Sequence, residues 1–239
     1  MSTGQASQMA TIAGAEFLPP DVDRAQPEKV PDAPPVDDGP VIHYEGLEVY
    51  RFSVEQYDRM GECEILAHRD RVFLLDGVVV RKMSMNPPHA ISMAKLNVLL
   101  ARVPMDGWFL GNQTPVIINP RSEPEPDFKI VRGVPDDYRR ANPGSRDTVF
   151  IIEVSDSSLR LDQSIMKARY AAAGILVYWI VNLPGDRVEV YSEPTGPDGT
   201  PDYRRREEFG RGDSVPLILD GREVALIAVS DILPRPLED

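Results

Sequence analysis

Two stretches, 123-EPEPDFKIV-131 and 148-TVFIIEVSD-156, set carboxylates against short apolar runs. Runs of this length rich in Val, Ile and Phe read as strands. Side chains two apart in a strand share a face. Val149, Ile151, Glu153 and Ser155 therefore point one way, and Phe150, Ile152 and Val154 the other. An ionised Glu153 in such a strand needs a partner, because burying a lone charge is costly. That partner is a base such as Arg169 or Lys167, a proton, or a divalent cation. Asp127 opens the preceding strand, just after Pro126. If the two strands are neighbours, Asp127 and Glu153 converge, and two close carboxylates repel unless a cation joins them. Magnesium is held in this way, by one or two carboxylates together with water and phosphate oxygens. A lysine nearby would steady developing negative charge. Lys129 shares a strand face with Asp127 and Lys167 lies on the following helix, though either could equally be a solvated or salt-bridging side chain.

Working outward, 52-FSVEQYDRMGECEILA-67 has Val54, Tyr57 and Ile65 near helical spacing, with Ser53 as N-cap. The run 71-RVFLLDGVVVRKMS-84 predicts two strands around an Asp76-Gly77 turn. A helix follows over 89-HAISMAKLNVLLARV-103, with Ile91, Ala94, Leu96, Val98, Leu99 and Val103 on a wide buried face. The stretch 108-WFLGNQTPVII-118 reads as a strand kinked near Pro115. A helix over 161–174 ends at Gly174, a favoured position beyond a C-cap. Strands are expected at 175-ILVYWIVNL-183 and 186-DRVEVYSEP-194, and further strands late in the chain near the Asp220-Gly221 turn. The order predicts a mixed α/β layer with helices against a central sheet.

The 239 residues, 42% of them hydrophobic, suffice for one sizeable core. Residues 1 to about 41 are Pro-rich and acidic, with little to bury, and read as a disordered tail ahead of a single domain over 42–239. The net charge of −12 excludes a globally basic nucleic-acid binder but leaves local patches, of which 137-DYRRANPGSR-146 and 203-YRRREEF-209 are the strongest. Cys63 alone forms no internal disulfide and anchors no cysteine zinc site. The N-terminus lacks a signal-peptide pattern and no apolar run is long enough to span a bilayer, so a cytoplasmic protein without membrane contact is expected.

The segments 122-SEPEPDFKIVRG-133 and 151-IIEVSDSSLRLDQSIMKARYAAAGILVYWIVNL-183 resemble the Uma family of restriction-endonuclease-like proteins, in the PD-(D/E)XK nuclease superfamily. The segments beginning at Phe52, Arg71 and Asn112, and the closing VSDILP, are similar to family segments in the same order. The resemblance implies a restriction-endonuclease-like α/β core of helix, three strands, helix and strand, with added β-hairpins. It implies hydrolysis of DNA phosphodiester bonds with Mg²⁺ or Mn²⁺, DNA as partner, and leaves a homodimer open. Asp127 matches the aspartate of the PD motif and Glu153 the glutamate of the (D/E)XK motif, both as metal ligands. The motif lysine is Ser155 here. In the family it stands on the next helix, four residues after the aspartate matching Asp162. That position is Met166, and Lys167 follows as the catalytic lysine. His89 and Gln113 match a family histidine and glutamine and, with Lys129, are candidate supporting residues. Phe73 and Val78 replace family glutamates. Together with Met166 they favour the alternative, a catalytically weakened module on the nuclease scaffold that acts in DNA or protein binding.

Overall fold

The computed structural model describes residues 42–67, 70–197 and 199–236. The expectation about the tail over 1–41 lies outside them. A two-residue hairpin pairs β1 (His43–Tyr44) with β2 (Leu47–Glu48). Helix α1 (Val54–Glu62) starts on a capping box, in which Ser53 Oγ accepts the Gln56 N–H and Gln56 Oε1 accepts the Ser53 N–H. The helix stops before Ile65, which is exposed rather than on its buried face.

Strands β3 (Val72–Leu75) and β4 (Val78–Arg81) form the expected hairpin. Asp76 and Gly77 both have positive φ, 51° and 81°, as a tight twisted hairpin turn requires. Helix α2 (Pro87–Leu100) is capped by Asn86, whose Oδ1 accepts the His89 N–H at 3.1 Å, and carries proline in its first turn. Its buried face is narrower than the sequence suggests. Met93, Leu96 and Leu100 are buried, whereas Ile91, Ala94 and Val98 are exposed. The α2 face meets only part of the sheet, and the rest of the helix stays in water.

Among the described residues, six strands build the main sheet in the order β10-β9-β8-β7-β6-β5. They are β5 (Trp108–Asn112), β6 (Phe128–Arg132), β7 (Thr148–Ser155), β8 (Val177–Asn182), β9 (Arg187–Pro194) and β10 (Tyr203–Gly210). All neighbours are antiparallel except β7 and β8, which are parallel. A parallel pair needs a crossover, and residues 159–172 supply it. This helical stretch is α3 (Leu159–Leu161), a π-turn (Asp162–Met166) and α4 (Lys167–Ala172), closed by Gly174 at φ 76°. The predicted strand over 108–118 is shorter than expected. It ends at Asn112, because Gln113 turns into the left-handed region at φ 47° and the chain leaves the sheet. The chain closes with the hairpin β11 (Ser214–Leu219) and β12 (Arg222–Ala228) and a single turn α5 (Val229–Ile232).

Two apolar layers sandwich the sheet. On one face Phe128, Ile130, Phe150, Ile152, Val154 and Trp179 pack against α2, α5 and the β11–β12 hairpin. On the other, Ile151, Tyr178 and Ile180 pack against the β3–β4 hairpin, Met166 and Tyr170. The alternation read from TVFIIEVSD is thus realised from Phe150 onward. A bulge between Ile130 and Val131 lets Val149 join the Phe150 side instead of the Ile151 side. Glu153 shares the face of Ile151, beneath the β3–β4 hairpin and the π-turn.

Candidate active site

The β6–β7 register pairs Phe128 with Ile152, so one residue further Asp127 stands across from Glu153. The Asp127 N–H reaches Glu153 Oε2 at 3.2 Å. In return Asp127 Oδ2 accepts the Val154 N–H at 2.9 Å. Both acids line one cavity of about 130 Å³, bounded on the apolar side by Phe73, Val80, Met85 and Met166. The Phe73↔Val80 pair belongs to the β3–β4 hairpin, so position 73 faces this cavity, whereas Val78 is absent from its lining.

The anticipated base for Glu153 is elsewhere. Arg169 makes a bidentate pair with Asp76 at 2.7–2.9 Å. Lys167 Nζ binds Asp202 Oδ1 at 2.7 Å and lies 5.4 Å from the centre of the Tyr191 ring. Glu153 is held instead by the Tyr170 hydroxyl, which donates to Oε1 at 2.8 Å, and by the Asp127 N–H. Burial pushes the Glu153 carboxyl well above the usual carboxylate range, and the charges of Asp127 and Asp162 push it further. The hydrogen bonds from Tyr170 and the Asp127 N–H act against this rise.

His89 joins the site from the first turn of α2, its Nε2 3.0 Å from Asp127 Oδ2. The N-cap that fixes this turn is itself anchored, since Asn86 Nδ2 donates to Asp156 Oδ2 at 2.6 Å. Gln113 lines the cavity too, and its N–H donates to the Asp127 carbonyl at 3.1 Å. Lys129 does not line it. Its ammonium donates to the carbonyls of Thr114, at 3.2 Å, and Pro115, and burial lowers its pKa to about 8. Gly111 makes room for that buried stem, because a Cβ there would stand 2.8 Å from Lys129 Cε. The structure therefore assembles Asp127, Glu153, His89 and Gln113, and leaves Lys167 and Lys129 outside the cavity.

The π-turn bears on Lys167. Its five-residue hydrogen bond, from the Lys167 N–H to the Asp162 carbonyl, absorbs one extra residue in the helix. Met166 nonetheless faces the cavity, and the lysine turns towards β9 and β10.

Three residues gain a place that the sequence did not reveal. Asp162 is buried, accepts from Ser155 Oγ at 2.7 Å and lines the cavity. Burial raises its pKa, with Asp127 adding to the rise and serine hydrogen bonds opposing it. Tyr170 is core, yet its hydroxyl serves Glu153. Lys82 lines the cavity with its ammonium on Glu125 Oε2. The only sequence signal for it is a lysine closing an otherwise apolar hairpin. In the basic run 203-YRRREEF-209, Arg205 pairs with Glu207, and Arg206 with Glu189 and Glu208. In the other run, Arg139 pairs with Asp136.

Among the described residues no three His, Cys, Asp or Glu side chains converge as a complete cage for a metal. Asp127 and Glu153 fit the smaller protein share of a magnesium site, in which substrate phosphate and water supply the remaining oxygens.

This mixed sheet, with a helical crossover and two carboxylates at the mouths of adjacent strands, defines a nuclease-type α/β fold. A solved structure, titled "Crystal structure of a putative nuclease belonging to DUF820" from Anabaena variabilis ATCC 29413, has a similar fold. The TM-score is 0.56 at 12% identity, over 76% of this chain and 97% of that one. No curated protein matches the chain. Residues 54–229 match the Uma2 family model, described as "Putative restriction endonuclease", and the chain belongs to that family. No helix among the described residues is long and apolar enough to cross a membrane.

Proposed function

We propose that the chain is a metal-dependent endonuclease that hydrolyses phosphodiester bonds of DNA, with Mg²⁺ or Mn²⁺ as cofactor. The observation that carries this reading is the pairing of Asp127 with Glu153 across β6 and β7, both open to one cavity. Asp127 and Glu153 would hold the cation, which supplies an activated water and charge stabilisation at the phosphate. His89 orients Asp127 through its 3.0 Å contact. The Val154 N–H fixes the same Asp127 oxygen from the neighbouring strand, so the carboxylate is aimed before any ligand arrives. Tyr170 does the same for Glu153. Gln113, at the exposed rim, is placed to meet the substrate.

A second reading has its own support. Phe73 and Met166 make part of the wall apolar, and Lys167 is committed to Asp202. A scaffold that binds DNA without cutting it would look like this. Cleavage of supercoiled and linear DNA with Mg²⁺ and Mn²⁺ separates the two, alongside calorimetric titration of each metal. The nuclease reading expects cleavage that Asp127→Asn and Glu153→Gln each abolish, together with weakened metal binding. Metal-independent cutting, or cutting indifferent to both substitutions, would refute it. DNA binding without any cleavage would favour the scaffold reading.

A further inference from the structure

We infer that Lys82 is the cation that receives the substrate phosphate in this cleft, and that Glu125 holds it until substrate arrives. The inference deepens the nuclease reading and rests on it for the identity of the ligand.

The lysines of the described residues divide sharply. Lys95 is spent on the carbonyls of Ser230 and Leu233. Lys129 is buried on the carbonyls of Thr114 and Pro115. Lys167 is paired with Asp202 outside the cavity. Lys82 alone among them lines the cavity that holds Asp127 and Glu153; of the two arginines in the same lining, Arg71 donates to the Met83 carbonyl at 3.3 Å and Arg81 is exposed. Its partner Glu125 lies two residues before Asp127 on the same extended segment, so the ammonium stands on the approach to the paired carboxylates.

A second, wider groove of about 770 Å³ runs beside the cavity, and Lys82 and Glu125 line both. The ion pair is therefore a threshold between an outer groove with room for a chain and an inner cavity with room for a phosphate. The side chains of Lys82 and Glu125 keep 21% and 26% of their exposure, enough for a phosphate to compete for the ammonium. Position 82 is also well anchored. The Lys82 N–H donates to the Arg71 carbonyl at 2.8 Å, so the base of the side chain is fixed while its four-carbon stem stays adjustable. An ammonium here offsets the negative charge of Glu125 and Asp127, which would otherwise repel a phosphate.

Substitutions at the two ends of this pair should act in opposite directions. The probe is a short fluorescent duplex with phosphorothioate linkages, which resists cleavage, titrated by anisotropy in Mg²⁺ at several salt concentrations. Lys82→Gln should weaken binding about tenfold, in line with the loss of a charged hydrogen bond, and lower the salt slope by about 1. Glu125→Gln should tighten binding, and the double variant should bind like Lys82→Gln. Lys82→Arg should keep affinity within a few-fold. If Lys82→Gln fails to fold, as thermal melts would reveal, the tightening by Glu125→Gln still decides the matter. Unchanged affinity in Lys82→Gln, equal shifts in both single variants, or no binding by the unaltered chain would each overturn the inference. The predicted binding pattern in a chain that cleaves no DNA would sink the nuclease reading while leaving the role of Lys82 standing.

Discussion

Glu123→Gln should make the protein more stable at alkaline pH while changing little in acid. Glu123 is buried at 2% exposure beside the β3 strand, its N–H on the Leu74 carbonyl at 2.8 Å. Its Oε1 accepts from Asn142 Nδ2 at 2.7 Å, and its carboxyl shares a hydrogen bond with Asp58 on α1. Burial raises the Glu123 pKa from 4.5 to about 7, with Asp58 and Glu125 adding to the rise and Asn142 opposing it. Asp58 is raised as well, chiefly by burial. A carboxyl that holds its proton more tightly when folded contributes stability in full below its unfolded pKa. That contribution declines from about pH 4.5 and is gone above about pH 7. At 1.36 kcal/mol per pH unit, the shift is worth at most about 3 kcal/mol. The amide of Gln keeps the acceptor for Asn142 and adds a donor for Asp58, with no proton to lose. Urea melts at fixed ionic strength between pH 5 and 8 should therefore show variant and parent nearly equal at pH 5. By pH 8 the variant should lead by about 1–3 kcal/mol. Comparing the two chains cancels the raised pKa values of Glu153 and Asp162, which act in the same direction. A difference that is constant with pH, or that grows towards acid, would refute the shared-proton account.

Lys167→Ala should leave DNA cleavage within a few-fold of the parent, because its ammonium serves Asp202 and the Tyr191 ring; a loss approaching the 100-fold typical of a missing oxyanion donor would return the lysine to the site. Gly111→Ala should destabilise by about 1–3 kcal/mol, the usual cost of overpacking, since the new methyl meets Lys129 Cε at 2.8 Å and Thr114 Oγ1 at 3.0 Å; an unchanged melting temperature would show that the Lys129 stem is not confined. Arg169→Ala should cost about 1–2 kcal/mol in urea melts by leaving Asp76 without its bidentate partner. It should also loosen the hairpin that carries Phe73 and Val80 over the cavity, read as faster amide exchange in β3 and β4 than in β8.

Much of the sheet was legible in the residues. The Val, Ile and Phe runs became β6, β7 and β8, the Asp76-Gly77 turn became a hairpin, and Gly174 ended its helix. These features depend on neighbours in the chain, where side-chain period and backbone conformation are set locally. The strand alternation also placed Glu153 opposite Phe150, Ile152 and Val154, and the spacing raised the question of whether Asp127 meets it. Local signals failed where the partner was distant in sequence. The burial of α2 depended on how much of the sheet it covers, so Ile91 and Val98 stayed in water despite their apolar side chains. Gln113 ended β5 through a backbone conformation that no propensity marks.

The sequence by itself determined which groups could do chemistry, namely two acids on successive apolar runs, a histidine at a helix start and a small set of lysines. Only the tertiary structure decided which of those lysines faces the acids. Lys167 was drawn off by Asp202, 35 residues away, and Lys82 was brought in by Glu125, 43 residues away. The direction of a long flexible side chain is chosen by the charge it finds in space, and that charge comes from another part of the chain. The same holds for Glu123, whose carboxyl holds its proton more tightly because distant parts of the chain bury it and bring Asp58 and Asn142 to it.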